Sequence, residues 1–173
     1  MKRIIGTAAL SILVLIFGQH IMGQTIKLGH INRNDLIQSM PEFDSAKVKL
    51  DKLSTELQNA LELLQVEYNN KADAYQKDLK NFTDIVRQTK EQELVDYQKR
   101  MSDFQTNAQS QYQAKQVELF KPITDKADKA IKDVGKENGF IYIFDLSQNQ
   151  IAYYDDTKST NVMPLVKAKL GLK

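Results

Sequence analysis

The 173-residue sequence predicts an α+β fold, predominantly α, in which a small β-containing body carries a long antiparallel α-helical coiled-coil hairpin. Three observations lead there. From about Glu42 to Val134 there is no glycine, and Pro122 is the one breaker among abundant Leu, Ala, Glu, Lys and Gln, all good helix formers. Apolar residues recur through that stretch in steps of four, three and four. Short β-branched and aromatic runs lie before and after it.

The chain opens with Lys2 and Arg3 followed by an uncharged apolar run from Ile4 to Phe17. A bilayer core about 30 Å thick needs about 20 apolar residues to be crossed as a helix, so this shorter run reads as a cleaved export signal over residues 1–23. Cleavage is placed after Gly23, with Gly18 as a second candidate. Residues 24–173 then form one domain, with 24–41 and 135–173 as the body and 42–134 as the arm.

Ile26, Leu28 and His30 alternate with Lys27, Gly29 and Ile31, the period of a half-buried strand. Asn32 and Asp35 offer caps for a brief helical turn through Leu36 and Ile37. Pro41 fits the first turn of the next helix, where its missing N–H would be unpaired in any case.

Along the arm, Ala46, Leu50, Leu53, Leu57, Leu61, Leu64, Tyr68, Ala72, Tyr75, Leu79 and Phe82 repeat every eleven residues. Eleven residues in three turns nearly matches the natural helical period, so the stripe stays on one side of a nearly straight rod. The spacing returns at Met101, Phe104, Ala108 and Tyr112, is interrupted at Lys115, and resumes from Leu119 to Val134. One continuous helix would leave this stripe uncovered, so two arms that bury their stripes together are preferred. The reversal is expected at Phe82 to Arg87, since Asn81, Thr83 and Asp84 are weak helix formers and good caps. Each arm of roughly forty residues would extend about 60 Å.

Gly135, Asn138 and Gly139 read as the helix stop. Phe140 to Phe144 and Ile151 to Tyr154 are strand-like runs about the turn Ser147-Gln148-Asn149, the pattern of a β-hairpin. Asp155 to Thr160 reads as a polar loop, and Asn161 as the cap of a last helix through Met163, Leu165, Val166 and Leu170 that ends at Gly171.

The composition excludes several chemistries. With no cysteine, neither a disulfide, nor a thiolate metal site, nor a lipid-modified N-terminal cysteine is available. After the signal the only histidine is His30, which removes His-based triads and multi-His metal sites and reads as a body residue. The glycines form neither a dinucleotide fingerprint nor a P-loop. Asp155 and Asp156 are neighbours in a loop and read as solvated rather than as an acid/base pair. No cofactor and no enzymatic activity are expected. Loss of Lys2 and Arg3 leaves 22 basic against 22 acidic groups, a neutral chain without general affinity for nucleic acid or anionic lipid. Ile85 and Val86 near the tip, Val95 beside Leu94, and Val117 and Phe120 further down add apolar surface beyond one stripe per arm. They either widen the seam or cover a bend at Pro122, or else let the arm hold an unfolded chain weakly at many points.

The opening Ile26-Lys27-Leu28-Gly29-His30-Ile31, the helical arm, Phe120-Lys121-Pro122-Ile123 and Glu137-Asn138-Gly139-Phe140 leading into strands resemble the Skp/OmpH family of periplasmic chaperones. The resemblance implies an ATP-independent holdase in the periplasm, a homotrimer joined through strands of its bodies whose arms enclose unfolded outer-membrane proteins. It implies a helix break at Pro122. Ile26, Leu28, Ile31, Ile141, Ile143, Phe144 and Ile151 would build the body and its subunit contacts. Client would meet the arm around Leu79, Phe82, Ile85, Val86, Leu94, Val95, Tyr97 and Met101. Well-known members are strongly basic and this chain is neutral, so membrane or lipopolysaccharide contact is not carried over. A non-chaperone scaffold of the cell envelope is the competing expectation.

Overall fold

A computed structural model of the chain describes residues 26–148 and 150–173, so the export signal expected over residues 1–23 lies outside the described residues. The order is β1 (Leu28–Ile31), α1 (Arg33–Gln38), α2 (Pro41–Asp78), a 3-10 turn (Leu79–Asn81), α3 (Asp84–Glu137), β2 (Tyr142–Asp145), β3 (Ser159–Asn161) and α4 (Met163–Leu170). The strands form one sheet in the order β2-β1-β3, and β1 runs parallel to both neighbours. Parallel neighbours need a long crossover. The connection from β1 to β2 contains α1, α2 and α3, so both long helices are one insertion within a crossover.

Local signals set most boundaries. Asn32 caps α1, its side chain accepting from the Asp35 amide. Pro41 occupies the first turn of α2, as its spacing predicts. Thr83 caps α3 by accepting from the Val86 amide. Gly171 ends α4 in the left-handed conformation, its amide donating to Ala168.

The core gathers where β1, α1, the start of α2, the end of α3 and α4 meet. Ile31, Leu36, Met40, Val162 and Val166 are its largest fully buried side chains. Ala46, Ala127 and Ala130 are buried among them, and their small size lets the helix backbones approach closely. Arg33 Nη2 and Nε donate to both carboxylate oxygens of Asp128, tying α1 to α3, and Lys126 pairs with Glu42 across the base of the long helices.

Several expectations are corrected. Among the described residues no β-hairpin follows the long helices. β2 and β3 flank β1 without pairing with each other, and Ile151–Tyr154 is not strand, while β3 lies in the stretch read as a polar loop. Packing overrides strand propensity here. The slot beside β1 goes to residues 159–161 because Val162 and Val166, which follow, bury completely, and Ser159 Oγ meets His30 Nδ1 at 2.9 Å. Gly135 does not stop α3. The helix continues to Glu137, and Gly135 serves closeness, since a Cβ there would lie 3.3 Å from the Ile143 side chain. Gly139 takes the left-handed turn instead, at φ 69°. Pro122 does not break α3 either. Phe120 against Phe43 and the burial of Ile123 hold the helix on both sides of it. The cap before α4 is Val162, though Asn161 Oδ1 accepts from the Met163 amide. The break between the two long helices begins at Leu79, earlier than the expected Phe82 to Arg87, because α2 ends at Asp78 and a 3-10 turn follows.

Candidate functional site

The long helices touch through side chains whose numbers fall on one as they rise on the other. The Phe43 ring packs tilted against that of Phe120 with centroids 5.3 Å apart, Tyr68 Oη accepts from Gln98 at 2.8 Å, Lys71 lies 3.7 Å from Glu93, and Tyr75 Oη donates to Glu91 at 2.7 Å. Half-buried positions recur at Leu53, Leu57, Leu61, Leu64, Tyr68, Ala72 and Tyr75 on α2, as the eleven-residue pattern requires. On α3 they fall at Leu94, Tyr97, Met101, Phe104, Ala108, Tyr112 and Leu119. Lys115, read as an interruption, occupies this series half-buried and pairs with Glu118. An amphipathic side chain can do so by laying its stem along the apolar stripe while its ammonium reaches solvent.

The residues expected to meet a client divide into two sets. Leu79, Ile85, Val86 and Val95 are exposed, Ile85 at 78% and Val95 at 55%. Phe82, Leu94, Tyr97 and Met101 are half-buried. The Phe82 ring packs tilted against that of Tyr75 with centroids 5.9 Å apart, and Tyr97 lies beneath both Lys71 and Arg100 at about 5 Å. Val117 is exposed, whereas Phe120 packs against the core. Sequence reasoning passed over Val48, Leu63 and Val66, also exposed. A signal was present: Val48 and Val66 lie eighteen residues apart, five turns, on the face away from the stripe.

Several charges between these apolar groups are paired within one helix or across the two, among them Lys99 with Asp103 and Lys71 with Glu93. The Lys90 ammonium hydrogen-bonds Glu93 and holds its carboxyl below the usual range, and the hydrogen bond to Glu91 pushes the Tyr75 phenol up. These side chains are half-buried or exposed and still reach solvent, where such pairs contribute little.

In the body, Ile31 is buried, Leu28, Ile143 and Ile151 are half-buried, and Ile26, Ile141 and Phe144 are exposed. Tyr142 stacks on Phe144 at 6.0 Å, and with Ile141 they leave an apolar surface along the outer strand. Tyr153, at 83%, and Tyr154 are exposed too. His30 is buried against Ser159 with its ring 4.8 Å from that of Tyr154. Asp155 Oδ1 accepts from the Thr157 amide and hydroxyl, which fold its carboxylate into a local turn beside the exposed Asp156. Among the described residues, no group of three or more His, Cys, Asp or Glu could hold a metal ion, and no helix is long and apolar enough to cross a membrane.

Exposed apolar groups are thus spread along two long helices that are inserted between strands of a small parallel sheet. The family follows from the match. The chain belongs to the Skp/OmpH family: the model of the outer membrane protein (OmpH-like) family covers residues 27–170. That family is known for periplasmic chaperones and is not enzymatic. No curated protein matches the chain.

Proposed function

We propose that this protein is an ATP-independent holdase that binds unfolded outer-membrane proteins in the periplasm and keeps them from aggregating. In this reading residues 1–23 direct export and are removed, and α2 and α3 form an antiparallel coiled-coil hairpin, the gripping arm, over residues 42–134. The body comprises residues 24–41 and 135–173. One observation carries the reading: Leu63, Val66, Ile85, Val95 and Val117 project from the arm into solvent among balanced charges. Such a surface has no single pocket, and many weak contacts along it add to useful avidity for an extended chain. Client is met at Leu79, Ile85, Val86 and Val95 first, with Phe82, Leu94, Tyr97 and Met101 beneath them.

The exposed Ile141, Tyr142, Phe144 and Tyr153 support assembly through the bodies, with a homotrimer as the proposed state. Native mass spectrometry reads the subunit number, and a chain that stays monomeric counts against the enclosure. The function is tested by diluting a urea-unfolded outer-membrane β-barrel into the mature protein and following light scattering. Suppression at stoichiometric amounts without nucleotide is expected, and aggregation undiminished at excess overturns the reading.

A further inference from the structure

The two long helices are pinned at both ends and untied between them. Near the body, Glu42 pairs with Lys126, and Ala46, Leu50, Ile123 and Ala127 are buried. Toward the turn, Tyr68, Lys71 and Tyr75 reach across to Gln98, Glu93 and Glu91, and the chain itself joins the helices. Over residues 51–67 and 99–118, every hydrogen bond and ion pair of the described residues stays within its own helix. No residue of either span is fully buried.

An open cleft of about 220 Å³ lies in this span, lined by Leu57, Leu61, Phe104, Ala108 and Tyr112, with the amides of Gln58 and Gln105 alongside. An apolar cavity of about 150 Å³ already takes a benzene molecule. We propose that this span is a binding site for an apolar side chain, preferably aromatic, of a captured polypeptide, admitted as the helices bow apart between their pinned ends. The proposal rests on the holdase reading and adds a place within the arm to its outer surface.

The lining chooses the occupant. No charged residue lines the cleft, so it offers nothing to a phosphate or a lipid headgroup. Its apolar wall suits a side chain, and the neutral amides can pair with the main-chain N–H and C=O that an unfolded segment leaves free. Bowing breaks no polar link across the span. It exchanges half-buried contacts between Leu57, Leu61 and Phe104 for contacts with the guest, and the small Ala108 leaves the room.

Cysteine-free sequence makes labelling direct. In the mature chain, spin labels at Glu56 and Gln109 report the middle, and labels at Asn70 and Asp96 report the outer end. The middle pair is expected to show the broader distance distribution and to lengthen when urea-unfolded β-barrel polypeptide is diluted in. Ala108→Leu fills the cleft and should narrow that distribution and weaken capture about tenfold. Ser110→Leu, on the exposed side of the same helix away from the cleft, should change neither. A middle pair as narrow as the outer one and indifferent to client overturns the proposal. Lengthening by phosphatidylglycerol vesicles in place of polypeptide overturns the occupant. A parent protein that captures no client overturns the holdase reading instead, with the distance distributions still deciding whether the span opens.

Discussion

Gly29 shows how little room the central strand leaves. A Cβ at that position would lie 2.9 Å from Val162 Cγ1 and 3.2 Å from the Phe140 ring, and Val162 is fully buried. Neither neighbour can withdraw without disturbing α4 or the end of α3. Gly29→Ala is therefore expected to lower stability by about 1–3 kcal/mol, read as a lower urea midpoint at unchanged slope. An unchanged midpoint would mean that α4 yields freely. Carboxylates set a second outcome. The Lys126 ammonium hydrogen-bonds Glu42 and Lys129 does the same for Asp133, holding both carboxyls below their ordinary values. Burial pushes the Asp145 carboxyl up, yet hydrogen bonds from Ser147 and the Arg33 amide outweigh it and keep it low. For a native pKa below the unfolded one, the unfolded chain binds more protons in between, so stability rises with pH there. Their contribution is expected in full above about pH 5 and lost progressively below about pH 4. Urea midpoints at pH 7, 5 and 3.5 check this, and equal values at pH 5 and 3.5 would refute it.

The longest helix carries its own weak point. Pro122 has no N–H to donate within α3, and a proline inside a helix costs about 3 kcal/mol. The packing of Phe120 on Phe43 and the burial of Ile123 offset that cost. Pro122→Ala is expected to raise the stability by about 1–2 kcal/mol, less than the full amount because the unfolded chain also becomes freer. Thermal unfolding of the two proteins decides it, and a lower midpoint for the variant would show that the proline is needed where it stands. Both the helical extent and its seam were legible in the sequence because they depend on near neighbours: composition, an eleven-residue period, and caps such as Thr83 and Asn32. The sheet was not legible. Ile151–Tyr154 has the better strand composition, yet residues 159–161 take the place beside β1 because Val162 and Val166 need the core. Gly135 misled for a related reason, its role being fixed by Ile143 from another part of the chain. Of the apolar residues on the arm, spacing separated the stripe from the rest, and it could have found Val48 and Val66. It could not say that Leu94, Tyr97 and Met101 would be half covered, which depends on how the two helices meet.

Because both long helices are one insertion in the β1-to-β2 crossover, folding of the body and reach of the arm are separable properties. Every fully buried residue of α2 lies at or before Leu50, and every one of α3 at or after Ile123. Beyond them the two helices add only half-buried contacts, so their outer length adds little to the core. Removing residues 54–64 together with 102–112 deletes one eleven-residue repeat from each helix. Three whole turns leave on both sides, so the remaining stripes keep their register. The shortened chain should keep its helical signal per residue and its oligomeric state, with a melting midpoint within a few degrees of the parent, about the shift of 1 kcal/mol. It loses Leu63 from the outer surface and all the residues that line the cleft. Capture of a urea-unfolded β-barrel should fall several-fold, since avidity drops as contact points are removed. Light scattering measures the capture, and native mass spectrometry the assembly. Loss of assembly in the shortened chain would show that the arm holds the subunits together, which is the role a scaffold requires. Capture equal to that of the parent would place the working surface at the turn, around Leu79, Ile85 and Val86, and leave the middle of the arm as a spacer.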